Sequence, residues 1–162
     1  MLTNFFLQLA TFFGVGKSPK APGTFGSLAA LPFAALLMLA GPFYYMGACV
    51  LLLPISIVAA EIYERVNGGH DASEIVIDEV LGMWVSLTWL PLTWQTFLLG
   101  FVLFRILDIC KPFPISYLDR KIEGGVGVVV DDLAAGLVVN LILQFVYVNT
   151  AWLGLQSLGG LG

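Results

Sequence analysis

Long apolar runs, interrupted by glycine, proline and a few clusters of charge, set the pattern of this chain. From Ala21 to Ala60 no residue is charged. A helical crossing of the hydrocarbon layer takes about 20 apolar residues, so this run is long enough for two. Gly41-Pro42 near its middle is a turn signal, and the run predicts a helical hairpin with arms Gly26–Ala40 and Phe43–Tyr63. A second uncharged run, Val80–Phe104, is broken at Pro91 and predicts another hairpin, with arms Ile75–Leu90 and Thr93–Cys110. A third run follows Asp132, and its first part, to about Val148, suits one more span. Several of these helices are short for a full crossing. They must extend into polar flanks, or the bundle must thin the bilayer locally.

Ahead of the first run, Leu2, Phe5, Phe6, Leu9, Phe12 and Phe13 recur at helical spacing, with Thr3, Asn4, Gln8 and Thr11 on the opposite face. That pattern predicts a helix lying in the membrane interface, with packing against the core as the alternative. It is not the pattern of a secretory signal, because no positive charge precedes it and no small-residue cleavage site follows. Residues 124–130, rich in Gly and Val, have some strand propensity. The Asp pair and the apolar continuation behind them favour a loop leading into a helix. The expected fold is all-α: a polytopic helical membrane bundle of four to five apolar helices plus an N-terminal interfacial helix, forming a single domain over residues 1–162.

Composition strengthens the membrane reading. Hydrophobic residues make up 59% of the chain and charged residues 11%, with a mean hydropathy of +0.93, against about 25% charged residues in soluble domains. A net charge of −4 gives no reason to expect nucleic acid as a partner, which favours strongly basic surfaces. Cys49 and Cys110 lie far apart in apolar surroundings and read as small hydrophobes without the spacing of a zinc site. In a five-pass arrangement, Gly14–Phe25, Glu61–Glu74 and Lys111–Val130 share one side of the membrane. All the cations (Lys17, Lys20, Arg65, Arg105, Lys111, Arg120 and Lys121) fall in or beside those segments. The positive-inside tendency makes that face cytoplasmic.

Candidate chemistry collects at the same edge. Asp78-Glu79, Asp108 and Asp131-Asp132 stand at the ends of apolar helices, where carboxylates are costly unless paired and hence functional candidates. Helix capping explains one acid of each pair but not both, and not Asp108 late in its helix. Clustered carboxylate oxygens suit a hard divalent cation such as Mg²⁺, which leans on substrate phosphate as well. A single histidine, His70, argues against zinc; as a loop residue it reads as solvated or as a proton-transfer group. Asp78, Gly82 and Ser86, and likewise Asp132, Gly136, Asn140 and Gln144, are spaced by four, so small and polar residues line helix faces that should turn inward. Arg105 shares a helix face with Asp108, and Lys111 follows at the helix exit, offering donors to a phosphate. The loop from Gly14 to Ser27, rich in glycine and hydroxyls and carrying Lys17 and Lys20, runs into a helix N-terminus that can cradle an anion.

Four segments read together are specific. Gly16-Lys17-Ser18-Pro19 with Ala21-Pro22-Gly23-Thr24-Phe25-Gly26-Ser27, Ile77-Asp78-Glu79-Val80-Leu81-Gly82, Phe104-Arg105-Ile106-Leu107-Asp108 through Lys111-Pro112, and Gly124-Gly125-Val126-Gly127 through Asp131-Asp132 and Gly136 resemble the phosphatidylglycerophosphatase A family, in the family's order and over most of the chain. The resemblance implies a Mg²⁺-dependent hydrolysis of phosphatidylglycerophosphate to phosphatidylglycerol and phosphate at the bacterial inner membrane. Asp78, Glu79, Asp131 and Asp132 are the expected metal ligands. Glu79, Asp108 and Asp131 are the expected catalytic acids, with Glu79 or Asp108 as base for water or Asp108 as a transient nucleophile. Lys17, Thr24, Arg105 and Lys111 are the expected substrate contacts. A phosphatidyltransferase is the nearest enzymatic rival, but its aspartate signature is missing. An ion-coupled carrier would place its acids at mid-membrane rather than at one edge.

Overall fold

The computed structural model describes residues 2–67, 72–113, 115–122 and 124–154; His70 lies outside them. Among the described residues, seven α-helices follow in order: α1 Leu2–Ala10, α2 Pro22–Ala40, α3 Pro42–Asn67, α4 Ile77–Ser86, α5 Trp94–Cys110, α6 Ile115–Lys121 and α7 Gly124–Asn149, with a 3₁₀ turn Val15–Lys17 between α1 and α2. Among the described residues there is no strand.

Both expected hairpins are present. Gly41 separates α2 from α3 at φ 113°, a left-handed conformation that glycine adopts without the clash of a side chain. Pro22 opens α2 four residues earlier than the apolar pattern suggested, because proline suits the first helical turn, where its missing N–H costs nothing. Three helices, α2, α3 and α7, are long and apolar enough to cross a membrane. With 10 residues, α4 rises only about 15 Å, half the hydrocarbon thickness. The segment 124–130, expected as a loop, is instead the first two turns of α7. Its glycines are poor helix formers in isolation. Here they let α7 press against α3: a Cβ on Gly125 would come within 2.6 Å of the Glu61 backbone nitrogen, and the Gly125 N–H donates to Glu61 Oε2 at 2.9 Å. The short helix α6 was not evident in the apolar pattern.

α4 is the hub, packed against α2, α3, α5 and α7, with Ile77, Val80, Leu81 and Met83 fully buried. Its closest neighbour is α7, met at two glycines. A Cβ on Gly136 would run into the Gly82 carbonyl oxygen, and one on Gly82 would lie 2.8 Å from the Asp132 carbonyl oxygen and against the Phe104 ring. This is the small-residue contact that lets membrane helices approach backbone to backbone. The far end of α4 is satisfied by the polar stripe on α7. Asn140 Nδ2 donates to the Ser86 and Thr88 carbonyls at 3.2 and 2.8 Å, and Gln144 Nε2 donates to Thr88 at 3.0 Å. The stripe thus supplies donors to carbonyls that the helix end leaves without partners in an apolar medium. Tyr45 on α3 donates to the Trp84 carbonyl at 2.7 Å, and the Trp84 indole donates to Ala30 on α2 at 3.1 Å.

α1 packs against the bundle. Thr11, expected on its polar face, is 1% exposed; its hydroxyl donates to Leu7 and Gln8 carbonyls and accepts from the Gly14 N–H. The Ala10 carbonyl accepts from Val76 N–H at 2.9 Å, tying α1 to the segment that leads into α4. Cys49 is buried and Cys110 exposed, both as free thiols.

Candidate active site

The end of α4 that carries Asp78 and Glu79 borders a cavity of about 260 Å³, walled by the start of α2, the segment 72–75, the end of α5 and the first half of α7. Asp78, Glu79, Asp108, Asp131 and Asp132 all line it, with Arg105 and Lys111. The glycine crossing explains the convergence. Asp78 and Asp132 lie one turn from Gly82 and Gly136, so the backbone contact between those glycines carries the two acids to the same point.

The five acids divide into two kinds. Asp78, Glu79 and Asp132 each offer a carboxylate oxygen within 4.8 Å of the others. Asp78 Oδ1 and Glu79 Oε2 are buried without a hydrogen-bond partner. Like charges crowded together in a low-dielectric setting repel strongly, and buried polar atoms left unmatched are costly. A divalent cation would answer both problems, so these residues fit a Mg²⁺ ion by donor type, and Asp78 and Glu79 also by an unmatched oxygen each. The other two acids are engaged by cations. Lys111 Nζ donates to Asp131 Oδ2 at 2.7 Å, and Arg105 Nη1 donates to Asp108 Oδ2. Arg105 also lies 3.8 Å from Glu79 Oε1, and its Nε is buried without a partner.

Two positions expected at helix ends are placed differently. Asp131 and Asp132 are the eighth and ninth residues of α7, too deep to cap its N-terminus, where dipole stabilisation fades after the first turn. Asp78 and Glu79 do lie in the first turn of α4.

The helix ends around the cavity are held in unusual conformations. Lys111 caps α5 at φ 40°, with its N–H on the Leu107 carbonyl at 2.8 Å. Glycine is the usual residue for a left-handed helix cap, but only a lysine there brings an ammonium back to Asp131. Ala21, at φ 47°, turns the chain into α2 on the opposite rim.

Of the expected substrate contacts, Arg105 and Lys111 line the cavity and Lys17 does not. Lys17 borders a separate space of about 420 Å³ with Gln8, Thr11, Tyr63, Asn67 and Glu74. Thr24 is one residue beyond the lining; its neighbour Gly23 lines the cavity instead. A Cβ on Gly23 would collide with Glu79 Oε1 and reach within 3.0 Å of Arg105 Nη1. Sequence reasoning passed over Gly23, although a Pro-Gly step at a helix start is the signal that backbone must come close to something there. Ser73 and Ile109 also line the site and carried no signal.

By fold and site, the chain is a helical membrane protein with an acid-and-cation cavity at one end of its bundle, a setting suited to hydrolysis of a phosphate ester. A family model described as phosphatidylglycerophosphatase A matches residues 8–147. The chain is 42% identical over 146 residues, 90% of its own length and 85% of the relative, to phosphatidylglycerophosphatase A of Escherichia coli (strain K12). It is 39% identical over 131 residues, 80% of each chain, to the protein of that name from Haemophilus influenzae. A Bacteroides thetaiotaomicron protein named a "putative phosphatidylinositol-3-phosphatase" is 37% identical over 142 residues, 80% of this chain and 85% of that one. No solved structure matches the chain at a comparable level. The chain belongs to the phosphatidylglycerophosphatase A family, and it is an enzyme of the phosphoric monoester hydrolase class.

Proposed function

We propose that this protein hydrolyses phosphatidylglycerophosphate to phosphatidylglycerol and inorganic phosphate, with Mg²⁺ held by Asp78, Glu79 and Asp132. The observation that carries the reading is the carboxylate trio of buried Asp78 and Asp132 with half-buried Glu79, beside Arg105 and Lys111 in one cavity. When bound, Mg²⁺ would neutralise charge on the phosphoryl oxygens. Arg105 and Lys111 would add charged donors to the same oxygens, each oriented by its own carboxylate, Asp108 or Asp131. With Oε2 given to the metal, Glu79 would use Oε1, 3.8 Å from Arg105 Nη1, to accept a proton from water as that water attacks phosphorus. The phosphorus–oxygen bond to glycerol then breaks, and the departing oxygen takes a proton from solvent. Asp108, already an acceptor for Arg105, is the weaker candidate for base or nucleophile, and Asp131 acts through Lys111.

The same reading gives a topology. Helices α2 and α3 form one hairpin and α4 and α5 another, so the loops before α2, before α4 and after α5 fall on one side whether or not the second hairpin reaches the far surface. Lys17, Lys20, Arg65 and Lys111 lie in or beside these loops, which supports a cytoplasmic active site at the inner membrane of a bacterium. Purified protein in mixed micelles should release phosphate from phosphatidylglycerophosphate only with a divalent cation present. Release from a phosphatidylinositol phosphate but not from phosphatidylglycerophosphate would overturn the substrate assignment.

A further inference from the structure

The cavity has two kinds of rim. On one side it is bordered by the exposed polar residue Ser73. On the other it is bordered by α5, and there the apolar lining residue Ile109 is 69% exposed, whereas Ile75 across the cavity is buried. Leu98, Val102, Arg105 and Ile109 follow at intervals of four, three and four, so they share one face of α5. The opposite face, with Thr96, Gly100 and Phe104, is the buried one. Leu98 is 51% and Val102 39% exposed, so the stripe faces outward except at Arg105, whose side chain is 15% exposed and paired with Asp108 in the cavity. The rim is completed by Ala21, which is exposed, and by Pro22 and Gly23 at the start of α2, with Gly23 packed against Glu79 and Arg105.

We infer that this stripe is the lateral entry for the lipid substrate: the acyl chains lie along Leu98 and Val102 while the head group turns past Ile109 onto Arg105. The inference rests on the proposed lipid phosphatase activity. The occupant follows from continuity, because Arg105 and Ile109 belong to the stripe and to the cavity at once. A lipid lying there keeps its tails in hydrocarbon while its phosphate reaches the carboxylates, and no charge has to cross an apolar layer.

Two experiments test it. In the first, Val102→Trp is assayed with long-chain phosphatidylglycerophosphate and with a soluble short-chain analogue, and Leu141→Trp on the exposed outer face of α7 serves as control. The expected result for Val102→Trp is a KM raised about tenfold for the long-chain lipid, with kcat and short-chain kinetics kept, because only tail binding is impaired. Leu141→Trp should change neither. Equal effects of Val102→Trp on both lipids, or no difference from Leu141→Trp, would overturn the inference. The second uses the unaltered protein and a long-chain substrate with a photoreactive group in its tail. Adducts should concentrate on residues 98–109 and be competed away by unlabelled substrate; an even spread over the outward faces would refute the entry route. Absence of phosphate release from both lipids would instead sink the functional reading, leaving the adduct map to decide on the stripe.

Discussion

Lys111 and Asp131 are joined at 2.7 Å across the cavity mouth, one from the left-handed cap of α5 and the other from the third turn of α7. The pair links the end of α5 to α7 two turns into that helix. Asp131 is 5% exposed, so removing its partner leaves a buried charge. Lys111→Met alone is expected to cost about 2–3 kcal/mol, reduced from the fully buried case because the lysine is partly solvated. Lys111→Met combined with Asp131→Leu should recover most of that stability but not phosphate release. A double-mutant cycle by thermal unfolding in detergent, run alongside the activity assay, checks both halves.

The trio of Asp78, Glu79 and Asp132 predicts opposite responses of stability and activity. Asp78→Asn removes a like charge from a crowded site, so the variant should melt higher than the parent in EDTA. It should lose phosphate release by at least about a hundredfold, as expected when an interaction needed in the transition state is removed. A variant that melts lower in EDTA and retains activity would contradict the assignment.

Metal binding should appear as stability. A site empty in the unfolded chain stabilises the fold by about 2.7 kcal/mol at a ligand concentration one hundred times Kd. Saturating Mg²⁺ should therefore raise the melting temperature of the parent protein, and EDTA should lower it and stop phosphate release reversibly. The same titration on Asp132→Asn should show little shift.

Gly136→Val tests the crossing that assembles the site. Its side chain would run into the Gly82 carbonyl, and overpacking of this kind costs about 1–3 kcal/mol. Because α4 and α7 would be levered apart near Asp78 and Asp132, activity should fall further than the stability loss explains. Asn140→Leu, at the opposite end of the same contact, should reduce stability by a similar amount by taking the Asn140 donor from the Ser86 carbonyl and leaving Thr88 to Gln144 alone, while kcat in the folded fraction stays near that of the parent.

Much of this could be read from the chain alone because the informative features are local. Gly41-Pro42 marks a turn whatever surrounds it, and uncharged runs declare buried or lipid-facing helices. The stripe Asp132, Gly136, Asn140 and Gln144 announced a helix face that needed a partner. The failures are non-local. Residues 124–130 look like a loop because glycine is a weak helix former, yet α3 presses on them and Glu61 binds the Gly125 N–H. The Arg105–Asp108 pair is local and legible from its spacing, but nothing in a one-dimensional pattern sets Asp131 apart from Asp132, since the Lys111–Asp131 pair spans twenty residues. Lys17 looked like a phosphate ligand from its loop, but the 3₁₀ turn directs that loop toward Tyr63 and Glu74.

The pairing of Arg105 and Lys111 with acids has a consequence for the order of events. Five carboxylates against two cations line the cavity, so with all of them ionised it holds an excess of three negative charges. A phosphate monoester, itself anionic, is repelled by such a site. If Mg²⁺ serves as proposed, it should bind before the lipid head group or together with it, and each should tighten the other's binding by the same factor. The surplus of charge would then set the order of arrival: without a divalent cation, an anionic head group is turned away.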